Sequence, residues 1–456
     1  MKLAAAAFAV ALAIAVSHAC AADPLVVHEW GTFTCLQDET GRAIGGINTD
    51  DEPVPGFVHT AGVPIGDSNQ MVLSSGKGIY PNYPPVTMRL ETPVIYFHRP
   101  TNSPPTSVSV DVTFHGGWLT QFYPQAKVST SGMKSTGVIT PPGLTTNTVG
   151  TLDWPAVQIG VTGKFPASDD KVWTTPREVH GDAVTVGGES EQFLFYRGVG
   201  HVDSPLRVLQ TGRIGQLQIT FLGLNLAKKA DRAAEAELAH SPMWLVRVSP
   251  DGWVDWQRGY EPAAGAVGPD TLGVMDSRFL KTATHRTGAA SLHQDMSAAL
   301  VKAGLFPDEA EAMLNTWEVS YFKSPGLRLF YLLPRGWIDA KLPLHVTGNP
   351  PITRVMVGRI EIVTPEQREL IRQIESTPMA TADTADTADA ANAAEAQLAA
   401  GRPMIDAVRA LSPAVRDYVL LGRFRNALLL DEQSRHPNAA LADFLLHHGI
   451  YAAGGN

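Results

Sequence analysis

The chain has 456 residues, 44% of them hydrophobic and 18% charged, with a formal net charge of −9. An acidic chain without a lysine or arginine cluster argues against nucleic acid and anionic lipid as partners. Two cysteines exclude a disulfide framework, so stability must come from a large apolar core, which a chain of this length can supply.

Lys2 is followed by an unbroken apolar run from Leu3 to Val16. The run is too short to span a bilayer and has the length of a signal-peptide core. Ala19-Cys20-Ala21 or Cys20-Ala21-Ala22 supplies a small-x-small cleavage pattern. Residues 1–21 therefore read as an export signal, and the mature chain as periplasmic or secreted. Lipid anchoring through Cys20 stays open but disfavoured, because Ser17 and His18 stand where a lipobox takes an aliphatic and a small residue. No later stretch holds the roughly 20 apolar residues of a membrane helix.

The first strand of the mature chain is expected over Leu25 to Leu36. Period-2 alternation puts Val26, His28, Trp30 and Thr32 on one face, and Val27, Glu29 and Phe33 on the other. The long connections Asn48 to Tyr83 and Thr130 to Thr151 are of a length often given to function. Val108, Val110, Val112 and Phe114 alternate with polar residues, which turns His115 to solvent. Leu217, Ile219 and Phe221 repeat the pattern, and Met243 to Val248 with Trp253 to Trp256 reads as a hairpin across Ser249-Pro250-Asp251-Gly252. Strands punctuated by proline and glycine continue to about residue 262. They predict a mainly β, sandwich-like domain within an α+β chain.

A helical insert follows at about 291–322. Ser291 opens one helix through a capping box, Gly304 closes it, and Pro307-Asp308-Glu309 starts a second with the stripe Ala310, Met313, Leu314, Trp317. Strands return at Leu327 to Leu333 and Ile352 to Val363, and Thr364 caps another helix. The main domain so defined runs over 22–376. Residues 377–400 contain three Thr-Ala-Asp repeats and an alanine-rich run, the composition of a linker or frayed helix. A helical unit at 401–456 completes the chain, with Leu411, Val415, Val419, Leu420, Leu428, Leu441, Phe444 and Leu445 as its expected core.

Candidate chemistry begins at His28 and Glu29. Adjacent strand residues point oppositely, so the two cannot share a metal unless the strand bulges. Asn48, Asp50 and Glu52 mimic alternating calcium ligands, but Pro53 and His59 at the sixth and twelfth positions exclude an EF-hand. Charges inside apolar strings carry more information. Glu91, Arg197, Arg335, Arg354 and Arg359 each need a partner if drawn inward. Such a pairing is either structural, with Glu91 meeting one of these arginines, or the grip of a pocket on a polar ligand. The histidines show no HExxH or HxH spacing, and the chain has no Gly-x-Ser-x-Gly, P-loop or dinucleotide fingerprint. Cys35 reads as a buried thiol, since no nucleophile signature surrounds it.

The strings His28-Glu29-Trp30-Gly31-Thr32-Phe33-Thr34, Arg89 to Phe97, Phe195 to Gly200, Glu311 to Trp317 and Arg354 to Arg359 resemble a family of exported bacterial proteins with an amino-terminal HEWGTFT motif. The resemblance spans nearly all of the mature chain up to the Thr-Ala-Asp tract. It implies export and names no reaction.

Two functional expectations follow from the residues. The first is a hydrolase-like enzyme with His28, Glu91, Arg197 and His201 as catalytic candidates. A divalent metal would be held by His28, Asp50, Asp51 and His201, and the substrate would be a small molecule. The alternative is a non-catalytic envelope protein that binds glycan or protein, with Trp118, Tyr123 and Trp154 as its exposed aromatics.

Overall fold

The computed structural model describes residues 24–49, 52–62, 67, 73, 75–133, 143–211, 215–222, 229–262, 271–278, 288–377 and 387–453. The expected export signal and the candidate ligands Asp50 and Asp51 lie outside these residues. Among the described residues, no helix is long and apolar enough to cross a membrane.

The chain is α+β, built on a mixed sheet of 16 strands with a separate sheet of four. Seven strands form the middle of the large sheet: β1 (Val26–Gln37), β2 (Met88–His98), β3 (Gly117–Tyr123), β4 (Leu194–Gly200), β5 (Met243–Val248), β6 (Gly326–Leu332) and β7 (Ile352–Ile362). Their spatial order is β3-β4-β2-β1-β7-β6-β5. The pairing of β1 with β7 is parallel and its pairing with β2 antiparallel, so the first strand is the hinge of a mixed sheet. A central strand with a parallel neighbour is ordinarily covered on both faces. β1 obeys this rule: from Val27 to Gln37 every residue is buried.

The two faces of β1 divide as its alternation predicts. Val27, Phe33 and Cys35 enter a core shared with Val110, Val112 and Phe114 of strand Thr106–His115, and the rings of Phe33 and Phe114 lie 6.3 Å apart. Trp30 packs on the opposite side with Leu292, Met313 and Trp317 of the helical insert. Strand Thr106–His115 alternates as expected, with Val108, Val110, Val112 and Phe114 inward and His115 exposed. Met243 to Val248 and Val254 to Arg258 form the expected hairpin.

Two details of the helical insert differ from expectation for local reasons. The insert's first helix is Gly288–Lys302, a turn longer than the Ser291 capping box suggests. The Ser291 hydroxyl bonds back to the Gly288 carbonyl instead. After helix Pro307–Thr316 the chain adds a π-helical turn, Val319–Lys323. Of the tract 377–400, expected as a linker or frayed helix, Thr387 to Ala399 is helical, and Ala391, Ala394 and Leu398 are buried. Thr364 does cap helix Pro365–Ser376: its hydroxyl accepts from Gln367 N, and the Gln367 side chain accepts from Thr364 N. The helices from 387 onward join that helix and Leu36, Val199 and Val363 in a third apolar cluster. The C-terminal unit therefore sits on the sheet.

Candidate functional site

Register assembles the main polar site. Thr34 lies between Arg89 of β2 and Arg359 of β7, and Thr32 lies between Glu91 and Val357. With a period of two, Arg89 and Glu91 share a face, as do Thr32 with Thr34 and Arg359 with Glu361. On the next strand Arg328 stands opposite Glu361. Charged groups thus form a row across three strands on one sheet face, and all of them are buried.

Ion pairs hold the row together. Arg89 Nε is 2.9 Å from Glu91 Oε1. Arg328 Nε is 3.1 Å from Glu361 Oε1, and Arg359 bonds the same carboxylate. Arg328 and Arg359 also donate to the Ser320 carbonyl at 2.6 and 2.9 Å. Above the row, Arg423 comes from the turn between helices Pro413–Leu420 and Arg425–Arg435. Its Nη2 lies 3.3 Å from both Glu52 and Glu91. Arg197 Nη1 donates to the Glu52 carbonyl at 3.1 Å, which links it to the same group. Tyr321 bonds Thr32 Oγ1 at 2.6 Å, with the Arg359 guanidinium over its ring. Lys77 is buried and adds its charge near Glu91.

Burial pushes the Glu91 carboxyl upward, but the charges of Arg423, Arg89, Lys77 and Arg359 outweigh it and bring the pKa to about 2. Glu91 is therefore a fixed anion at neutral pH and cannot serve as a general acid there. Burial lowers Arg328 to about 9, against the pull of Glu361 and with the repulsion of Arg359 and Arg423. Arg359 Nη1 and Thr34 Oγ1 have no hydrogen-bond partner among the described residues. A cavity of about 270 Å³ opens over Glu52, Ser320 and Arg423, with Glu395 and Arg425 on its wall.

A second polar group forms nearer the start of β1. His28 Nδ1 is 2.7 Å from Glu309 Oε2, and His98 Nε2 is 3.0 Å from Glu309 Oε1. Glu309 belongs to the first turn of helix Pro307–Thr316, where its carboxylate also accepts from Phe306 N. Burial raises its pKa, yet the bonds from His28 and His98 prevail and hold it below the usual carboxylate range. The ligating atoms of these three residues lie within 4.8 Å of one another.

The expected catalytic quartet is thus divided. Glu91 and Arg197 belong to one charged group, joined through Glu52 and Arg423. His28 faces Glu309 and His98. His201 Nδ1 is 2.7 Å from the Pro85 carbonyl and is part of neither. Of the expected metal set, His28 meets His98 and Glu309, His201 meets the Pro85 carbonyl, and Asp50 and Asp51 lie outside the described residues. Glu91 makes its close ion pairs with Arg89 and Arg423, and of the arginines expected Arg359 acts on it through its charge. Of those, Arg354 pairs with Glu29 and Asp339, and Arg335 with Asp339.

Some of the missed residues carried a readable signal. Arg89 and Glu361 sit two positions from Glu91 and Arg359, so the alternation that placed one placed the other. Arg423 interrupts the apolar string Leu420 to Phe424 just as the recognised charges interrupt theirs. Glu309 gave only the ordinary signal of an acid in a first helical turn.

Trp118, Tyr123 and Trp154 are buried, not exposed. The indoles of Trp118 and Trp154 donate to the carbonyls of Ser131 and Pro124. They can offer no platform to a glycan. Cys35 is buried as expected, and burial pushes its thiol up to about 12.

No family model matches the chain, and no curated protein matches it. Among solved structures it is similar to the Fcho1 Mu homology domain of Danio rerio with bound Eps15 peptide. The identity is 8%, the match covers 75% of this chain and 96% of that chain, and the TM-score is 0.23. A likeness of that size carries no argument for fold or function.

Proposed function

We propose that the chain is an exported, hydrolase-like enzyme acting on a polar small molecule at the charged row; the HEWGTFT resemblance bears on the export alone. The observation that carries this reading is the assembly of nine buried ionisable side chains, Glu52, Lys77, Arg89, Glu91, Arg197, Arg328, Arg359, Glu361 and Arg423, of which Glu52 and Arg423 reach the wall of the cavity. Buried ion pairs seldom stabilise a fold better than apolar packing would, because desolvation offsets their attraction. Clusters of this kind are instead frequent where a protein must hold or transform a polar ligand.

In this reading the guanidinium of Arg423 meets the ligand and stabilises negative charge as it develops. Glu91 and Glu52 hold that guanidinium in place. The paired hydroxyls of Thr32 and Tyr321 keep the floor of the site polar. The sandwich-like arrangement of the sheet belongs to the same proposal. It is supported by the facing rings of Phe33 with Phe114 and of Trp154 with Tyr196.

The test is hydrolysis of p-nitrophenyl acetate, phosphate and β-glucoside by the purified mature chain, its Arg423→Met variant and its Glu52→Gln variant. Turnover of one substrate by the parent, with loss of about tenfold or more in a folded variant, supports the reading. No turnover of any of the three, or full turnover in both folded variants, removes it. The glycan alternative rested on Trp118, Tyr123 and Trp154, which are buried, and so loses the basis it was argued from.

A further inference from the structure

We propose that His28, His98 and Glu309 bind one divalent transition metal of the zinc class, at a site separate from the charged row. Thr32 lies four positions beyond His28 on β1, which places the two sites about 13 Å apart along the strand.

The donor set is the first argument. Two imidazole nitrogens and one carboxylate suit zinc and its first-row neighbours rather than calcium or magnesium, which take oxygen ligands. The second is convergence. His28 and His98 come from adjacent strands, where Val26 stands opposite His98 and His28 opposite Tyr96. Glu309 comes from the helix laid across them. Each of its oxygens faces a different ring nitrogen, at 2.7 and 3.0 Å. Zinc bonds of 2.0–2.1 Å in a tetrahedron set neighbouring ligand atoms roughly 3.3 Å apart. The two histidine–glutamate spacings are shorter than this by well under an ångström, and the three ligand atoms lie within 4.8 Å of one another, so the set is close to the span of one ion.

The surroundings are those of a metal site. Phe306 N donates to Glu309 Oε2 at 2.8 Å and fixes the carboxylate from outside the ligand set. The Phe306 ring packs on both imidazoles, with centroids 4.5 Å from His28 and 4.8 Å from His98. It shields the group from water while remaining 43% exposed itself. His98, whose side chain is 14% exposed, marks the side from which an ion enters. Three protein ligands leave a fourth tetrahedral position for water, the arrangement of open rather than closed zinc sites. Bound metal would tie the first turn of helix Pro307–Thr316 to β1 and β2.

The experiment uses the full mature chain, stripped with a chelator and titrated with Zn²⁺ by calorimetry. In parallel, Co²⁺ replaces zinc as a visible-spectroscopic probe of tetrahedral coordination. The expected result is one Zn²⁺ per chain and a higher melting temperature on binding. His98→Ala should weaken binding by more than about tenfold, the loss that even an outer-shell partner commonly causes. It should also abolish the Co²⁺ spectrum and the rise in melting temperature. Because His98 sits at the margin of the fold, its variant tests the site even if Glu309→Gln fails to fold. His180→Ala, which removes a neighbouring imidazole outside the set, should bind like the parent. Absence of micromolar Zn²⁺ binding in the parent overturns the proposal. So does binding that His98→Ala leaves intact, or that only His180→Ala removes. None of these readouts depends on hydrolysis, so the reading of the charged row stands or falls separately.

Discussion

The Arg423 guanidinium lies 3.3 Å from the Glu91 carboxylate, across 332 residues of chain. One residue comes from the second strand of the central sheet and the other from a turn in the C-terminal helices. The pair is therefore a tie between the late helical unit and the early sheet. Its strength is asymmetric: making it is offset by desolvation, but breaking it leaves the remaining charge uncompensated in a buried site. Arg423→Ala and Glu91→Gln should each destabilise the protein by about 3–5 kcal/mol. Urea denaturation of parent and variants measures this. A loss below about 1 kcal/mol in both would mean that the pair behaves like an exposed one.

Acid should act through the same carboxylate. Glu91 takes up its proton near pH 2 in the folded protein, against an ordinary value of 4.5. Between those values the unfolded chain binds more protons than the folded one, so stability falls as the pH drops through this window. The contribution is fully present above it and is on the order of 3 kcal/mol. Urea midpoints of parent and Glu91→Gln, measured from pH 6 to pH 2.5, should converge as the pH falls. A constant gap between the two curves would show that Glu91 is not held ionised.

Period and position explain what could be read from the sequence. The split of β1 into a His28, Trp30, Thr32 face and a Val27, Glu29, Phe33 face needs only alternation, and it is present in the fold. The strand Thr106–His115, the hairpin after Met243 and the Thr364 cap are equally local. Sequence separation explains what was not legible. Glu309 is 281 residues from His28, and Arg423 is 371 from Glu52, so no spacing rule connects them. The parallel pairing of β1 with β7 decides which strand stands beside Thr34. That pairing depends on the whole intervening chain. The buried indoles of Trp118 and Trp154 were unreadable for another reason: exposure is set by the strands and loops that cover a residue, not by its own string.

Gly358 illustrates a packing constraint that β7 places on its neighbour. A Cβ at this position would lie 2.3 Å from Tyr331 Cζ and 2.5 Å from its Cε1. Tyr331 stands directly opposite Gly358 and is tied through its hydroxyl to Ser204 Oγ at 2.8 Å, so its ring cannot yield freely. Gly358→Ala should cost about 1–3 kcal/mol, the usual penalty of overpacking a filled core. Gly336→Ala, in helix Arg335–Lys341 with nothing within 4 Å of its new methyl, is the matched control. It should be neutral or slightly stabilising, since alanine favours a helix over glycine by about 1 kcal/mol. Equal melting temperatures for the two variants would contradict the contact.

Cys35 offers a direct reading of the core's integrity. Its sulfur sits on the covered face of β1, among Val27, Phe33 and the strands that pack on them, and burial pushes its pKa up to about 12. The thiolate is the reactive form, so at pH 8 both its scarcity and its burial protect it. With Cys20 replaced by serine, Cys35 is the remaining thiol of the chain. A chromogenic disulfide reagent at pH 8 should then find no reactive group in the native protein and one per chain in guanidinium. Across a urea titration, the onset of reaction should coincide with loss of tryptophan fluorescence, because Trp30 is buried on the other face of the same strand. Rapid labelling in the absence of denaturant would show instead that strand Thr106–His115 lifts away from β1 without global unfolding, and that this part of the sheet opens as a local unit.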